Sequence, residues 1–293
     1  MSNAIQKYHD PETGKMIVYG YEDEVSAVPR EELEQWRESK KRKEAAERGP
    51  IRYYVNCYHD KVAELNDLLD VNELGALMKL LPYLRMNTGG QLFSGKERMT
   101  TKLAAKAIGK SERQTIRLIN KMVEVGVMSK ECEGRTVVYC VNEEYHSIGK
   151  YVRDTFYTKL YQVKTRTDIA KISIQTAGIL YKMLPFFNYA HYYLSINPEE
   201  TDEMKITHMS HRQFADLVNV DRDLVNKAMK ELISHGFIMS LQSFGGQLYR
   251  INPDVMFRKK VDYDELTEFV RMQFEQSKRG VSQALVDIED LPF

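Results

Sequence analysis

"AKAIGKSERQTIRLINKMVEVGVM" (105–128) and "ADLVNVDRDLVNKAMKELISHGFI" (215–238) are one pattern written twice, 110 residues apart. In each, a short segment meets a polar break and a longer stretch follows. The longer stretch carries apolar or small residues at helical spacing: Thr115, Ile119 and Met122 in the first copy, Val225, Met229 and Leu232 in the second. Ser111 precedes the first stretch with Gln114 three residues on, the reciprocal pair that satisfies free N–H groups at a helix start, and Asp221 is the cap in the second copy. Gly126 and Gly236 come just after, where left-handed backbone commonly ends a helix. The spacing predicts long helices over about 111–125 and 221–235.

The duplication extends on both sides. "GALMKLLPYL" (75–84) matches "GILYKMLPFF" (178–187) at an offset of 103, and "VVYCVN" (137–142) matches "QLYRIN" (247–252) at 110. The polar insert "NPEETDEMK" (197–205) accommodates the seven extra residues. Three blocks in one order make an internal repeat, which decides the fold before any single element does. Each copy reads as an apolar helix (about 72–85 and 174–187), a short helix opened by Thr100 or by Ser210 with Gln213, the long helix, and a hairpin (127–141 and 237–251) turning at Glu133-Gly134 or Gly245-Gly246. Helix, helix–turn–helix and hairpin make a winged helix. The expected fold is therefore mainly α with small β-hairpins, in two tandem winged-helix domains over 51–150 and 151–262. Residues 1–50 precede them as a hairpin (8–23, around Glu12-Thr13-Gly14) and a charged helix (30–48). Residues 263–293 follow as a C-terminal helix and acidic tail.

Away from the apolar stripe, the first long helix presents Arg113, Gln114, Arg117 and Lys121, preceded by Lys110 and Ser111. The second copy offers Arg212, Arg222, Lys227 and Lys230, and Arg135 lies in the first hairpin. Arg can grip guanine, Gln can grip adenine, and helix N-termini take phosphates, so a basic, amide-bearing second helix suits the major groove. Winged helices also dock proteins, and charged faces are often simply solvated; local charge separates these readings. The chain has 42 basic and 42 acidic residues, yet 102–131 holds seven Lys/Arg against three acids and 212–260 holds eight against five. Basic units are hidden by a neutral total, and duplex DNA is the expected partner, with single strands an alternative.

Other signals point to nothing further. "IGKSERQT" contains Gly-Lys-Ser, but a phosphate-binding loop needs glycine where Ala104 stands. His208 and His211 flank a helix start without the four ligands of a zinc site, so no metal and no cofactor is expected. No nucleophile-elbow pattern occurs, and the chain reads as non-enzymatic. Cys57, Cys132 and Cys140 are scattered and odd in number, and neither a secretory h-region nor an apolar run of about 18 residues is present. A cytoplasmic protein with no membrane contact is expected. The charged helix, with Lys40, Lys41, Arg42 and Lys43, suits a spacer, a phosphate-contacting arm or a homodimerisation arm. The aromatics of "YYVNCYHDKVAEL" (53–65) and "KYVRDTFYTKLYQV" (150–163) are expected to pack the outer helix of each unit.

Two resemblances add to this reading. The capped helix–turn–helix, "LYRINPDVMFRKK" (248–260) and the opening "DPETGKMIVYGYEDE" resemble RepL-type plasmid replication proteins, mostly over about 168–260. The duplication departs from short members of that family, and Asp223, standing where the first copy has Arg113, fits a division of labour. "VDIEDLPF" (286–293) resembles the acidic tip of bacterial single-stranded-DNA-binding proteins. The resemblance implies that Asp287, Glu289, Asp290, Leu291, Pro292 and Phe293 bind host replication or repair proteins, Phe293 entering an apolar pocket and its carboxylate meeting a basic residue. Together they imply a plasmid or phage replication protein that reads duplex DNA and recruits host factors. The alternatives are a single-stranded-DNA-binding protein built on winged helices and a winged-helix transcriptional regulator.

Overall fold

The computed structural model describes residues 6–9, 16–19, 53–149, 155–243, 246–259 and 264–278. The chain divides into two compact units, Met1–Pro50 and Ile51–Phe293. In the first, β1 (Gln6–His9) and β2 (Met16–Tyr19) pair antiparallel, as the hairpin reading expects. The charged helix at 30–48 and the tip at 286–293 lie outside the described residues.

The second unit contains both repeats. β3 (Tyr54–Tyr58) leads into α1 (His59–Leu68) and α2 (Val71–Leu80). Asp70 and Glu73 close a capping box at the start of α2. The sequence predicts that this helix runs to about 85, but α-helix ends at Leu80. Pro82 has no N–H to donate, and the chain tightens into a 3-10 turn over Leu81–Tyr83. A small hairpin, β4 (Phe93–Ser94) and β5 (Glu97–Arg98), precedes α3 (Thr101–Ile108), α4 (Glu112–Glu124), the hairpin β6 (Met128–Glu133) and β7 (Thr136–Val141), and β8 (His146–Ile148). The order then recurs: β9 (Tyr157–Tyr161), α5 (Gln162–Ile169), α6 (Ile174–Lys182), α7 (His211–Leu217), α8 (Arg222–Ser234), β10 (Ile238–Ser243), β11 (Gly246–Ile251) and β12 (Met256–Phe257). α9 (Glu265–Lys278) follows, with Val270 and Phe274 buried.

The expected class, mainly α with only small hairpins, needs correction: the fold is mixed α/β. Strands β12, β9, β3 and β8 form a four-stranded antiparallel sheet in that order, β3 pairing with β9 at its centre. Two of these strands come from the aromatic segments assigned to helix packing. β3 and β9 are buried almost throughout, so the period-2 alternation that marks a half-buried strand is missing, and β8 and β12 are three and two residues long. The sheet also joins the repeats. One continuous apolar core runs from Val55 to Phe274 through both copies, so the boundary near residue 150 divides the repeat and not the compact body.

The helices of the two copies meet as tightly as the strands. α2 packs on α6, and a Cβ added to Gly75 would stand 1.9 Å from the carbonyl oxygen of Ile174. A Cβ on Gly178 would stand 1.9 Å from that of Val71. The buried Lys79 and Lys182 reach across in the same style, their ammonium groups donating to the carbonyls of Ile172 (2.8 Å) and Asn66 (3.0 Å).

Candidate nucleic-acid interface

The turn between α3 and α4 follows from three residues. Thr100 caps α3, and Gly109 ends it at φ 79 with its N–H on the Ala105 carbonyl. Two residues on, Ser111 caps α4 in a full box: the Gln114 N–H donates to Ser111 Oγ, and the Ser111 N–H donates to Gln114 Oε1, both at 3.3 Å. Thr115, Ile119 and Met122 then point inward and are fully buried, as the spacing predicts. Burying Ile119 and Met122 contributes about 1.5–3 kcal/mol each, which fixes the rotation of α4.

That rotation leaves Arg113, Gln114, Arg117 and Lys121 exposed on one helix, with Lys110 and Ser111 exposed at its start. Among the described residues, no acid pairs with Lys110, Arg113 or Arg117, whereas Lys121 pairs with Glu124 at 2.6 Å. The Gln114 carbonyl oxygen is engaged in the cap, so a two-point amide grip on a base would require opening the box. Gly126 takes φ 81 after the helix, and the side-chain amide of Asn142 donates to its carbonyl at 3.1 Å, tying the base of the hairpin to the helix end. At the other end of the hairpin, the loop Gly134-Arg135 joins Glu133 to Thr136 with Gly134 at φ 60, and Arg135 is exposed.

Arg98 supports the hairpin and was not singled out in the sequence. Its guanidinium binds Glu131 at 2.5 Å and also Glu133. The bond to Arg98 holds the Glu131 carboxyl below the usual range. The partners lie 33 and 35 residues from Arg98, so no local pattern could have revealed them.

The second copy repeats the frame but not the face. Ser210 and Gln213 close the box of α7, Asn219 takes the left-handed turn at φ 50, and Asp221 caps α8 through the Asp223 and Leu224 N–H groups. Val225, Met229 and Leu232 are buried as predicted, and Gly236 ends the helix at φ 71. Arg212, Lys227 and Lys230 are exposed with no acidic partner among the described residues. Arg222 is instead bound by Asp216 through both carboxylate oxygens at 2.9 and 3.1 Å. Glu231 turns inward and accepts from the Ser173 N–H at 2.7 Å and the Ser173 hydroxyl at 2.9 Å, capping α6 from the neighbouring helix. His211 stacks on Tyr249 with ring centres 4.4 Å apart, and His208 meets Tyr193 edge-on at 4.8 Å. No helix among the described residues is long and apolar enough to cross a membrane. Compared with protein-family models, curated proteins and solved structures, the chain matches none.

Proposed function

We propose that the chain is a non-enzymatic DNA-binding protein of plasmid or phage replication, reading duplex DNA with its helix–turn–helix units. The supporting observation is the exposed face of α4, where Lys110, Arg113 and Arg117 have no acidic partner among the described residues, beside a hairpin carrying Arg135. Guanidinium groups beside a helix N-terminus can serve both phosphates and guanine edges. The link to replication rests on the likeness of 248–260 to RepL-type proteins and of 286–293 to single-stranded-DNA-binding-protein tips.

The test is binding to duplex and single-stranded probes of one sequence across a salt series. If four cationic groups contact phosphates, log affinity for duplex falls against log salt with a slope of about −3 to −4. Affinity indifferent to salt would remove the basic faces from the interface. Tighter binding to the single strand than to any duplex would replace duplex reading by the single-strand alternative.

A further inference from the structure

The two helix–turn–helix units are related by a local two-fold axis. Asn56 and Lys159 are equivalent residues of the two copies, 103 apart, and they face each other at the centre of the β3–β9 pairing. Tyr54 opposite Tyr161 on one side is answered by Tyr58 opposite Tyr157 on the other. The His59 N–H donates to the Phe156 carbonyl at 2.9 Å, and the equivalent Gln162 N–H donates to the equivalent Tyr53 carbonyl at 3.0 Å. Gly75 against Ile174 and Gly178 against Val71 make the same exchange between helices. When residue i of one copy meets residue j of the other and j meets i, the interface is isologous, the mark of two-fold symmetry. The reading helices inherit it, because α4 packs on α2 and α8 on α6.

The faces so related are chemically unlike. Lys110, Arg113 and Lys121 of the first copy correspond to Val220, Asp223 and Glu231 of the second, and only Arg117 keeps a basic counterpart, Lys227. Resting on the DNA-binding reading above, we infer that one chain binds a duplex carrying two unlike half-sites in inverted orientation, one read by α4 and the other by α8. A duplex has two-fold axes perpendicular to its length, and a protein two-fold aligned with one presents its two helices to two major-groove segments as mirrored half-sites. Directly repeated half-sites suit units related by translation, which this fold does not contain.

The test selects bound duplexes from a random library with the full chain, and again with Asp223→Arg/Lys227→Arg, which places arginine on α8 at the positions equivalent to Arg113 and Arg117. Both substituted residues are exposed, and circular dichroism checks that the variant folds. The parent should enrich two dissimilar blocks at a fixed spacing of about one helical turn or a multiple of it. Reversing one block in place should weaken binding by on the order of tenfold or more. Sedimentation should give one chain per site. In the variant, the second block should change toward the reverse complement of the first. A change toward a direct copy, an unchanged second block, a single block in the parent, or two chains per site overturns the inference and leaves DNA binding standing. Retention of no duplex under any salt condition overturns the DNA-binding reading itself, and the inference with it.

Discussion

Arg113 and Arg222 stand near the starts of equivalent helices, yet their surroundings differ. Asp216 spans the Arg222 guanidinium, while no described acid engages Arg113. The Arg222 pair is half exposed on both sides, so it contributes at most about 1 kcal/mol and biases the side chain without locking it. Arg113 is the stronger candidate for base contact. Arg113→Ala should cost about 1–3 kcal/mol on the preferred duplex and less on random duplex, as measured by fluorescence anisotropy. An equal loss on both would make it a phosphate contact only. Phe293 belongs to the same scale. Burying one phenylalanine in a partner pocket supplies about 1.5–3 kcal/mol, so Phe293→Ala should abolish capture of proteins that recognise single-stranded-DNA-binding-protein tips and leave duplex affinity unchanged. Recovery of the same replication proteins by parent and variant would reduce the tail to an acidic end.

At the scale of elements, the capping residues and the inward stripes of α4 and α8 were legible because their signals are local. A serine and a glutamine three apart, or three apolar residues one turn apart, interact within their own helix. The strands β3 and β9 were not legible, because burial on both faces erases the alternation that announces a strand, and their partners lie about 100 residues away. Gly75 and Gly178 appeared in the repeat as matched letters, but their necessity is tertiary: each lets a backbone carbonyl of the other copy approach within contact distance. The clash is with backbone, which cannot rotate aside. Gly75→Ala and Gly178→Ala should each destabilise the fold by at least about 1–3 kcal/mol, read as a lower urea midpoint. Loss of stability in only one of the two would contradict the reciprocal packing.

Across the whole molecule, two histidines set an acid limit. His146, buried against the Tyr181 hydroxyl at 2.9 Å, is pushed down to about 3 by burial. His59, beside Thr158 Oγ1 at 3.0 Å, is pushed down to about 3 by burial and then by the Arg258 charge. An unfolded histidine titrates near 6.5. Above that value both states are neutral; below it, down to about 3, only the unfolded chain takes up the proton, so stability falls as pH falls. From pH 7.5 to 5.5 the loss should be about 1.4 kcal/mol for each histidine, measured by urea unfolding at the two values, and smaller in His146→Asn than in the parent. A flat response would place water beside these rings. What the sequence determined alone is the repeat, the helix–turn–helix frame of each copy, the caps, and the basic residues of α4, because each is written in residues within a few turns of one another. The tertiary structure decided that the copies share one sheet and one core, that Asp216 engages Arg222, that Arg98 binds the hairpin acids, and that a two-fold axis relates the units. The shared sheet, core and axis depend on pairings about 100 residues apart, and the Arg98 bonds on partners 33 and 35 residues away. Asp216 and Arg222, only six apart, meet because of how the turn between their helices folds. Charge and apolarity along the chain do not encode any of these meetings.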